Sequence, residues 1–387
     1  MAPSDFKQVL EANARPPVGH TSPEFIQVFG SSICMTRCVF LIAGSGTLGW
    51  DQVSANLVEP GESVLVLHSG YFGDSFRECL ETYGAHVDEL RADIGASVDL
   101  AALAAALRRK TYKAVTFTHV DTSTGVLSDA RGIAATVRSI SPETLVILDG
   151  VCSVASEEIR MDDWDIDVIM TASQKGLGAP PGLSILVASP KAMKVFETRK
   201  TPPTSYYASW KKWLPVMRAY ETGTPAYFAT PPVNLIYAYH ASLRQITRSS
   251  PAFEERIRIH RQVSARVKAI ASQLGLKQVP SDSAHAANGM TAVYYPEGMG
   301  ASDILPRLAE KGVVVAGGLH KNIKDKYFRI GHMGASAVDP QRGDIDAIAR
   351  SLKASVEEAR AAKGITGSFS AVETGAPRSL ASSSDRS

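Results

Sequence analysis

Cysteine is scarce in this chain of 387 residues, which contains only Cys34, Cys38, Cys79 and Cys152. No two of them form a C-x-x-C pair, and their spacing does not suggest a disulfide framework. We therefore expect a reducing compartment and small, buried thiols. The nine histidines show no metal-ligand spacing, so the sequence predicts no bound metal.

Long apolar runs and an excess of one charge are also missing. The net charge is +2, from 41 basic and 39 acidic residues that are interspersed, so no nucleic-acid surface is predicted. No stretch approaches the roughly 20 apolar residues of a membrane span, and residues 1–5 lack the apolar core of a secretory signal. These absences predict a soluble, intracellular protein without a membrane partner.

What the chain does have is a regular alternation of strand and helix patterns. Apolar and β-branched runs predict strands over 63–68, 86–91, 114–120, 145–149, 166–173 and 183–188. Helical patterns fall between several of them, over 75–83, 100–109 and 130–137. This alternation is typical of an α/β protein with a mostly parallel central sheet flanked by helices.

The length and the hydrophobic content of 44% fit about two domains. We expect an N-terminal arm over 1–17, a large domain over 18–250 and a smaller C-terminal α+β domain over 251–363. In the smaller domain, strands are predicted near 289–295, 313–316 and 327–330. Residues 364–387 are rich in Ser, Gly and Ala, so a disordered tail is predicted there.

One lysine stands at the predicted end of a buried strand. Lys175 follows the apolar run 166–173, and Gly176, Gly178 and Pro180 prevent the strand from continuing. A crowded, partly desolvated lysine suits nucleophilic chemistry. Taken alone, the same pattern also fits a solvated lysine in a surface loop.

A carboxylate ends the neighbouring apolar run. Asp149 closes the run 144–149, and the carboxyl ends of parallel strands meet at the edge of the sheet where ligands bind. An amine that forms an imine and an anion that keeps a pyridine nitrogen protonated are what pyridoxal 5'-phosphate (PLP) requires. The pair Asp149 and Lys175 therefore predicts a PLP site.

The glycine-rich run 44–49 precedes a predicted helix and suits a phosphate, because small residues let backbone amides approach an anion. It also fits the G-x-G-x-x-G dinucleotide motif, which needs an acid at the end of the next strand. The strand 63–68 is followed by no such acid. We therefore prefer a phosphate on Ser45, Gly46 and Thr47.

Two further side chains suit a ligand, although each has a structural alternative. Phe72, placed at the end of strand 63–68 between glycines, could stack on a planar ring or pack in the core. Arg329, on a short apolar strand, could bind a substrate carboxylate in a bidentate manner or pair with an internal acid.

Through these residues as a set, the chain resembles the fold-type I PLP enzymes. Within them it is most similar to the alanine–glyoxylate (serine–pyruvate) aminotransferases of class V. The family's Ser-Gln-Lys motif is matched at Ser173, Gln174 and Lys175, and its Arg-Ile-Gly motif at Arg329. The resemblance runs from about residue 18 to 362. It implies PLP bound to Lys175 as an imine, and transamination of L-alanine with glyoxylate to give pyruvate and glycine, with serine and pyruvate as a further pair.

The resemblance also implies a homodimer with shared active sites. Tyr227 and Thr230 would reach the cofactor phosphate of the other subunit, Phe72 would stack on the ring, and Thr122 would bond its ring oxygen. The full set of cofactor contacts is Ser45, Gly46, Thr47, Phe72, Thr122, Asp149, Gln174, Lys175, Tyr227 and Thr230. The family alone favours the peroxisome, with cytoplasm and mitochondrion left open.

Two other functions fit parts of the pattern. One is another fold-type I activity, such as a cysteine desulfurase or a lyase, but Cys152 is expected in packed sheet surroundings rather than on a mobile segment. The other is a catalytically impaired or cofactor-free homologue, because the region before residue 40 is shorter than in the family.

Overall fold

The computed structural model describes residues 5–33, 37–248 and 253–365. Its largest sheet has seven strands in the order β1-β9-β8-β7-β4-β2-β3. They are β1 (Cys38–Ala43), β2 (Ser63–His68), β3 (His86–Arg91), β4 (Ala114–Thr118), β7 (Leu145–Asp149), β8 (Val168–Ala172) and β9 (Leu183–Ala188). A short hairpin of β5 (Val120–Asp121) and β6 (Val126–Leu127) follows β4.

The pairing confirms the prediction of a mostly parallel sheet. Strands β3, β2, β4, β7 and β8 pair in parallel, whereas β9 runs antiparallel between β8 and β1. The predicted bounds of β2, β3, β7 and β9 match the observed ones. Parallel strands bring their carboxyl ends to one edge of the sheet, where the candidate site lies.

Helices cover the sheet on both faces. They are α1 (Asp5–Asn13), α2 (Pro23–Ile33), α3 (Leu48–Leu57), α4 (Tyr71–Thr82), α5 (Leu100–Arg109), α6 (Ala130–Ile140), α7 (Pro190–Glu197), α8 (Trp210–Glu221) and α9 (Val233–Arg248). Neighbouring residues of β2 divide between two cores, with Val64 and Val66 in one and Leu65 and Leu67 in the other. This division follows from the two-residue period of a strand.

A smaller antiparallel sheet follows, in the order β10-β12-β11. Its strands are β10 (Met290–Tyr294), β11 (Ala316–Gly317) and β12 (Tyr327–Gly331), accompanied by the helices α10 (Phe253–Gln273), α11 (Ala301–Glu310), α12 (Ala335–Val338) and α13 (Asp344–Ala362). These elements enclose a separate apolar cluster that includes Val293, Phe328 and Leu352. The α+β character predicted for this region is confirmed; the domain boundaries stay predictions. Of the predicted disordered tail, residues 366–387 lie outside the described part of the chain.

Three local predictions were wrong. Phe72 is not at the end of a strand: α4 begins at Tyr71, so Phe72 lies in the first helical turn. Strand β4 ends at Thr118, two residues before the predicted end, because the chain turns into the β5–β6 hairpin. The strand predicted near 313–316 begins only at Ala316, as the two-residue strand β11. Cys152 is packed as expected, in the turn that follows β7.

The sequence patterns did not predict the helices α1, α8 and α12. Helix α8 contains Pro215, which ordinarily disfavours a helix interior, yet its buried Trp210 and Trp213 hold it in the main core. Helix α1 packs along α9. In the described residues, no helix is both long enough and apolar enough to cross a membrane.

Candidate active site

A cavity of about 210 Å³ lies at the carboxyl ends of β4, β7 and β8. It brings together eight of the residues predicted from the sequence: Ser45, Gly46, Thr47, Phe72, Thr122, Asp149, Gln174 and Lys175. It is also lined by five residues that were not predicted as contacts: Trp50, Thr118, Val120, Val151 and Cys152. Asp149 and Lys175 thus face a common space, although 25 residues separate them in the sequence.

Asp149 is the last residue of β7 and is buried. Its Oδ2 accepts a hydrogen bond from the indole Nε1 of Trp50 at 2.8 Å, and its Oδ1 accepts one from the backbone N–H of Val151 at 3.0 Å. Burial raises the pKa of the Asp149 carboxyl, and the two N–H donors act in the opposite direction. Each oxygen keeps a lone pair for a further partner.

Lys175 lies three residues beyond the end of β8, in a tight loop, and is half-buried. The loop is closed by hydrogen bonds from Gly178 N–H to the Lys175 carbonyl and from Ala179 N–H to the Ser173 carbonyl, each 2.9 Å. Gly178 adopts φ +71°, which explains one of the glycines that the sequence places there.

The loop is also held from behind by Arg256 of α10. Its Nη2 donates to the Gly176 carbonyl at 2.8 Å and its Nε to the Ala155 carbonyl at 3.1 Å. Gly176 is packed so tightly that a Cβ would lie 2.3 Å from the Val154 carbonyl oxygen. Lys175 therefore stands on a rigid support rather than on a free surface loop.

The predicted phosphate segment forms the entry to α3. Thr47 occupies the N-cap position of this helix. Its backbone dihedrals are helical, and its side chain makes no hydrogen bond to the helix amides. The first hydrogen bond of the turn runs from Leu48 N–H to the Ser45 carbonyl, and amides at a helix start point outward without partners in the helix. A Cβ on Gly46 would approach Val151 Cγ2 to 2.7 Å, so a larger residue would push into the cavity wall.

Two polar or aromatic groups complete the wall. Phe72 is half-buried and contacts the edge of Trp50, with ring centroids 6.4 Å apart. The hydroxyl of Thr118 is buried and lacks a hydrogen-bond partner among the described residues. Thr118 pairs in register with Asp149, so its position could have been found from the same strand-end argument that singled out Asp149.

Arg329 lies on β12 and does not line the cavity. Its Nε donates to the Gly317 carbonyl at 2.8 Å, and its Nη1 donates to the carbonyl of Thr122, a cavity residue, at 3.1 Å. None of the ion pairs among the described residues involves Arg329. The alternative of an arginine paired with an internal acid therefore gains no support, and the guanidinium lies beside the cavity wall.

Tyr227 and Thr230 also lie away from this cavity. Both are exposed, and their hydroxyl oxygens are 3.5 Å apart in the loop before α9. The structure does not bring them to the Lys175 cavity of the same chain. Their predicted role at another subunit's site remains a prediction.

The histidines play no evident part at the cavity. His119 is buried and is not among the lining residues, and burial lowers its pKa to about 3, in keeping with a structural role. Among the described residues, His68, Asp74 and Glu89 bring potential metal ligands within 4.8 Å of one another. Arg91 pairs with Asp74 and Arg77 with Glu89, so both carboxylates already have cationic partners.

Residues 37–333 match the Aminotransferase class-V family. The chain belongs to this family. It is 42% identical to alanine–glyoxylate aminotransferase 1 of Saccharomyces cerevisiae, over 83% of this chain and 87% of that protein. It is 30% identical to serine–glyoxylate aminotransferase of Arabidopsis thaliana, over 76% and 72% of the two chains.

The crystal structure of an alanine–glyoxylate aminotransferase from Nostoc sp. superposes with a TM-score of 0.81 at 26% identity, covering 90% of this chain and 92% of that one. The prediction of a fold-type I, class-V aminotransferase is thereby confirmed.

The class-V fold is one that depends on PLP, and the residues of the cavity fit that cofactor. The segment at the start of α3 offers a phosphate its outward-pointing amides and the Thr47 hydroxyl, which makes no capping hydrogen bond. Asp149 offers a carboxylate for a cationic ring nitrogen, and the unpartnered Thr118 hydroxyl leaves a buried polar position to be satisfied.

Proposed function

We propose that this protein binds PLP at Lys175 and transfers the amino group of L-alanine to glyoxylate, giving pyruvate and glycine. The observation that carries the proposal is the shared cavity of Asp149 and Lys175 at the carboxyl edge of the sheet. When bound, PLP supplies an aldehyde that attaches amines covalently and a ring that accepts electrons.

Each residue of the cavity has a separate role in the proposed reaction. Ser45, Gly46 and Thr47 hold the phosphate, and Phe72 packs on the ring face. Asp149 pairs with the ring nitrogen. Once its amine is free, the Nζ of Lys175 would take the proton from the substrate Cα and pass it to the cofactor carbon that has received the amino nitrogen, acting first as general base and then as general acid.

Three further residues complete the proposed site. Thr122 and Gln174, both in the cavity wall, bond the polar substituents of the cofactor. Arg329 binds the carboxylate that every amino acid and oxo acid substrate carries. The guanidinium also donates to the Thr122 carbonyl, so Arg329 contacts a residue of the cavity wall.

The choice of substrates rests on the relatives. The yeast relative is named for alanine and glyoxylate, and the plant relative for serine and glyoxylate. The greater identity to the yeast protein favours L-alanine as donor, with L-serine as the alternative. The reaction would consume glyoxylate and form glycine, which suits glyoxylate removal or glycine supply.

We further propose a homodimer in which Tyr227 and Thr230 bind the phosphate at the partner subunit's site. Both residues are exposed and lie away from their own chain's cavity. When a second chain covers this surface, the adjacent hydroxyls of this exposed tyrosine and threonine would donate hydrogen bonds to the phosphate bound in that chain.

A cysteine desulfurase is the weaker candidate. Cys152 does line the cavity, but it is packed, as the sequence led us to expect: it is buried in the turn after β7, and burial raises the pKa of its thiol. A desulfurase needs a reactive thiolate, which burial disfavours.

A half-reaction tests the proposal without a coupled assay. Protein saturated with PLP and freed of excess cofactor is mixed with L-alanine alone, and we expect about one pyruvate per active site, followed by glycine when glyoxylate is added. L-serine and L-cysteine are compared under the same conditions. Sulfide release from L-cysteine with no pyruvate from L-alanine would contradict the proposed transamination.

A further inference from the structure

Trp50 is placed to act on the chemistry of the site without itself reacting. Its indole Nε1 donates to Asp149 Oδ2 at 2.8 Å, and both residues are buried. Trp50 lies in the first turn of α3, directly after the proposed phosphate segment. One helix start therefore carries both the phosphate cradle and the hydrogen-bond donor to the carboxylate.

The ring of Trp50 is held firmly in this orientation. It stacks on Phe76 of α4, with centroids 5.5 Å apart and an interplanar angle of 13°, and it meets Phe72 edge to face. Gly49, its neighbour, packs so closely on Met170 of β8 that a Cβ would lie 3.0 Å from that side chain. The indole N–H is thus directed at Asp149 by packing on several sides.

A buried carboxylate needs such donors to stay charged, because burial alone favours its neutral form. The donors found on the Asp149 side chain are the Trp50 indole and the Val151 amide. The amide belongs to the backbone, and among substitutions only proline at position 151 would remove it. Within the described part of the chain, the Trp50 indole is therefore the side-chain donor to the Asp149 carboxylate.

We propose that Trp50 is a positioning residue for Asp149, whose indole N–H holds the carboxylate oriented and ionised so that it pairs with the ring nitrogen of PLP. The inference rests on the proposed cofactor. Removal of the N–H should weaken binding only for ligands whose ring carries that nitrogen.

The test compares two probes on Trp50→Phe: PLP and its 1-deaza analogue, in which a carbon replaces the ring nitrogen. We expect the dissociation constant for PLP to rise by about tenfold to a hundredfold, the range for hydrogen bonds to charged groups. The constant for the analogue should change less than about twofold, because it cannot form the ion pair with Asp149.

Two controls separate positioning from packing. Trp210→Phe removes another buried indole N–H, which donates to Gln52 of α3, the helix that carries Trp50, at 3.2 Å. This substitution should leave the ratio of the two dissociation constants unchanged. In an Asp149→Asn background, Trp50→Phe should add less than about a twofold effect on PLP binding, because the coupling partner is gone.

Equal weakening of both probes by Trp50→Phe, or no weakening of either, would overturn the inference. If Trp50→Phe does not fold, 3-benzothienylalanine at position 50 keeps the ring shape while sulfur replaces the N–H, and the same comparison decides. Wild-type protein that binds neither probe would instead contradict the proposed cofactor.

Discussion

At the scale of single residues, the two that define the site could be predicted because strand ends in a parallel sheet converge. Asp149 and Lys175 each follow an apolar run, and the structure places both at one cavity. The position of Thr118, at the end of β4 and in register with Asp149, follows from the same argument, but Trp50 could not be selected in this way. Trp50 reads as an ordinary core aromatic until its indole is seen beside Asp149, and the Thr118 hydroxyl becomes notable only when it proves to be buried without a partner.

A second buried carboxylate should make the stability of the protein depend on pH. Asp121 is fully buried, its Oδ2 has no partner among the described residues, and burial raises its pKa from 3.8 to about 6. Between these values the folded chain binds more protons than the unfolded chain, so stability falls as pH rises through that window. The nearby carboxylates Asp149 and Asp74 act in the same direction.

We therefore expect Asp121→Asn to relieve this cost at neutral pH. The free energy of unfolding of the cofactor-free protein should rise by about 3 kcal/mol above pH 7 and by little below pH 4, from two pKa units at about 1.4 kcal/mol each. Urea titrations across this pH range measure the difference. The exposed Asp325→Asn serves as control, and a gain of the same size at both pH values would refute the explanation.

At the scale of elements, periodicity located strands and helices that lie in the regular part of the sheet. It failed where tertiary packing overrides local preference. Helix α8 tolerates Pro215 because its tryptophans are anchored in the core. The start of α4 at Tyr71 was hidden by Gly70 and Gly73, which resemble a loop in the sequence; a Cβ on Gly73 would in fact collide with His68 at 1.9 Å.

Helix α10 should support the lysine loop through Arg256. Arg256→Met would leave the Gly176 and Ala155 carbonyls without these donors. Each buried carbonyl left unsatisfied lowers the free energy of unfolding by about 1–3 kcal/mol. We expect a lower melting temperature and slower attachment of PLP to Lys175, followed by absorbance.

The matched control is Arg261→Met on the same helix, which loses an exposed pair with Glu158 worth less than about 1 kcal/mol. Equal effects of the two substitutions on the rate of attachment would show that Arg256 does not support the loop.

At the scale of the whole molecule, the alternating pattern predicted the main sheet and the smaller α+β region. The pattern could not predict the strand order or the antiparallel position of β9, because strand pairing is decided by contacts between residues distant in sequence. The position of Tyr227 and Thr230, exposed and away from the cavity, is explained at this scale if two chains complete each site.

Complementation tests the shared site. Lys175→Ala and the double variant Tyr227→Phe, Thr230→Val are co-expressed with different tags, each being poorly active alone at limiting PLP. In a two-fold dimer, half of the molecules are hybrids and half of their sites are intact, so about a quarter of wild-type activity should return. If Tyr227 and Thr230 act within their own chain, no hybrid site is intact and activity stays at the level of the parent variants.

The central claim is that Lys175 carries the cofactor beside Asp149, and one measurement tests it most directly. The protein is saturated with PLP, treated with borohydride to fix the cofactor, digested and examined by mass spectrometry. We expect the reduced cofactor on the peptide that contains Lys175, and none on the same peptide of Lys175→Ala. Attachment to a different lysine, or no stable attachment in PLP-saturated wild-type protein, would contradict the account.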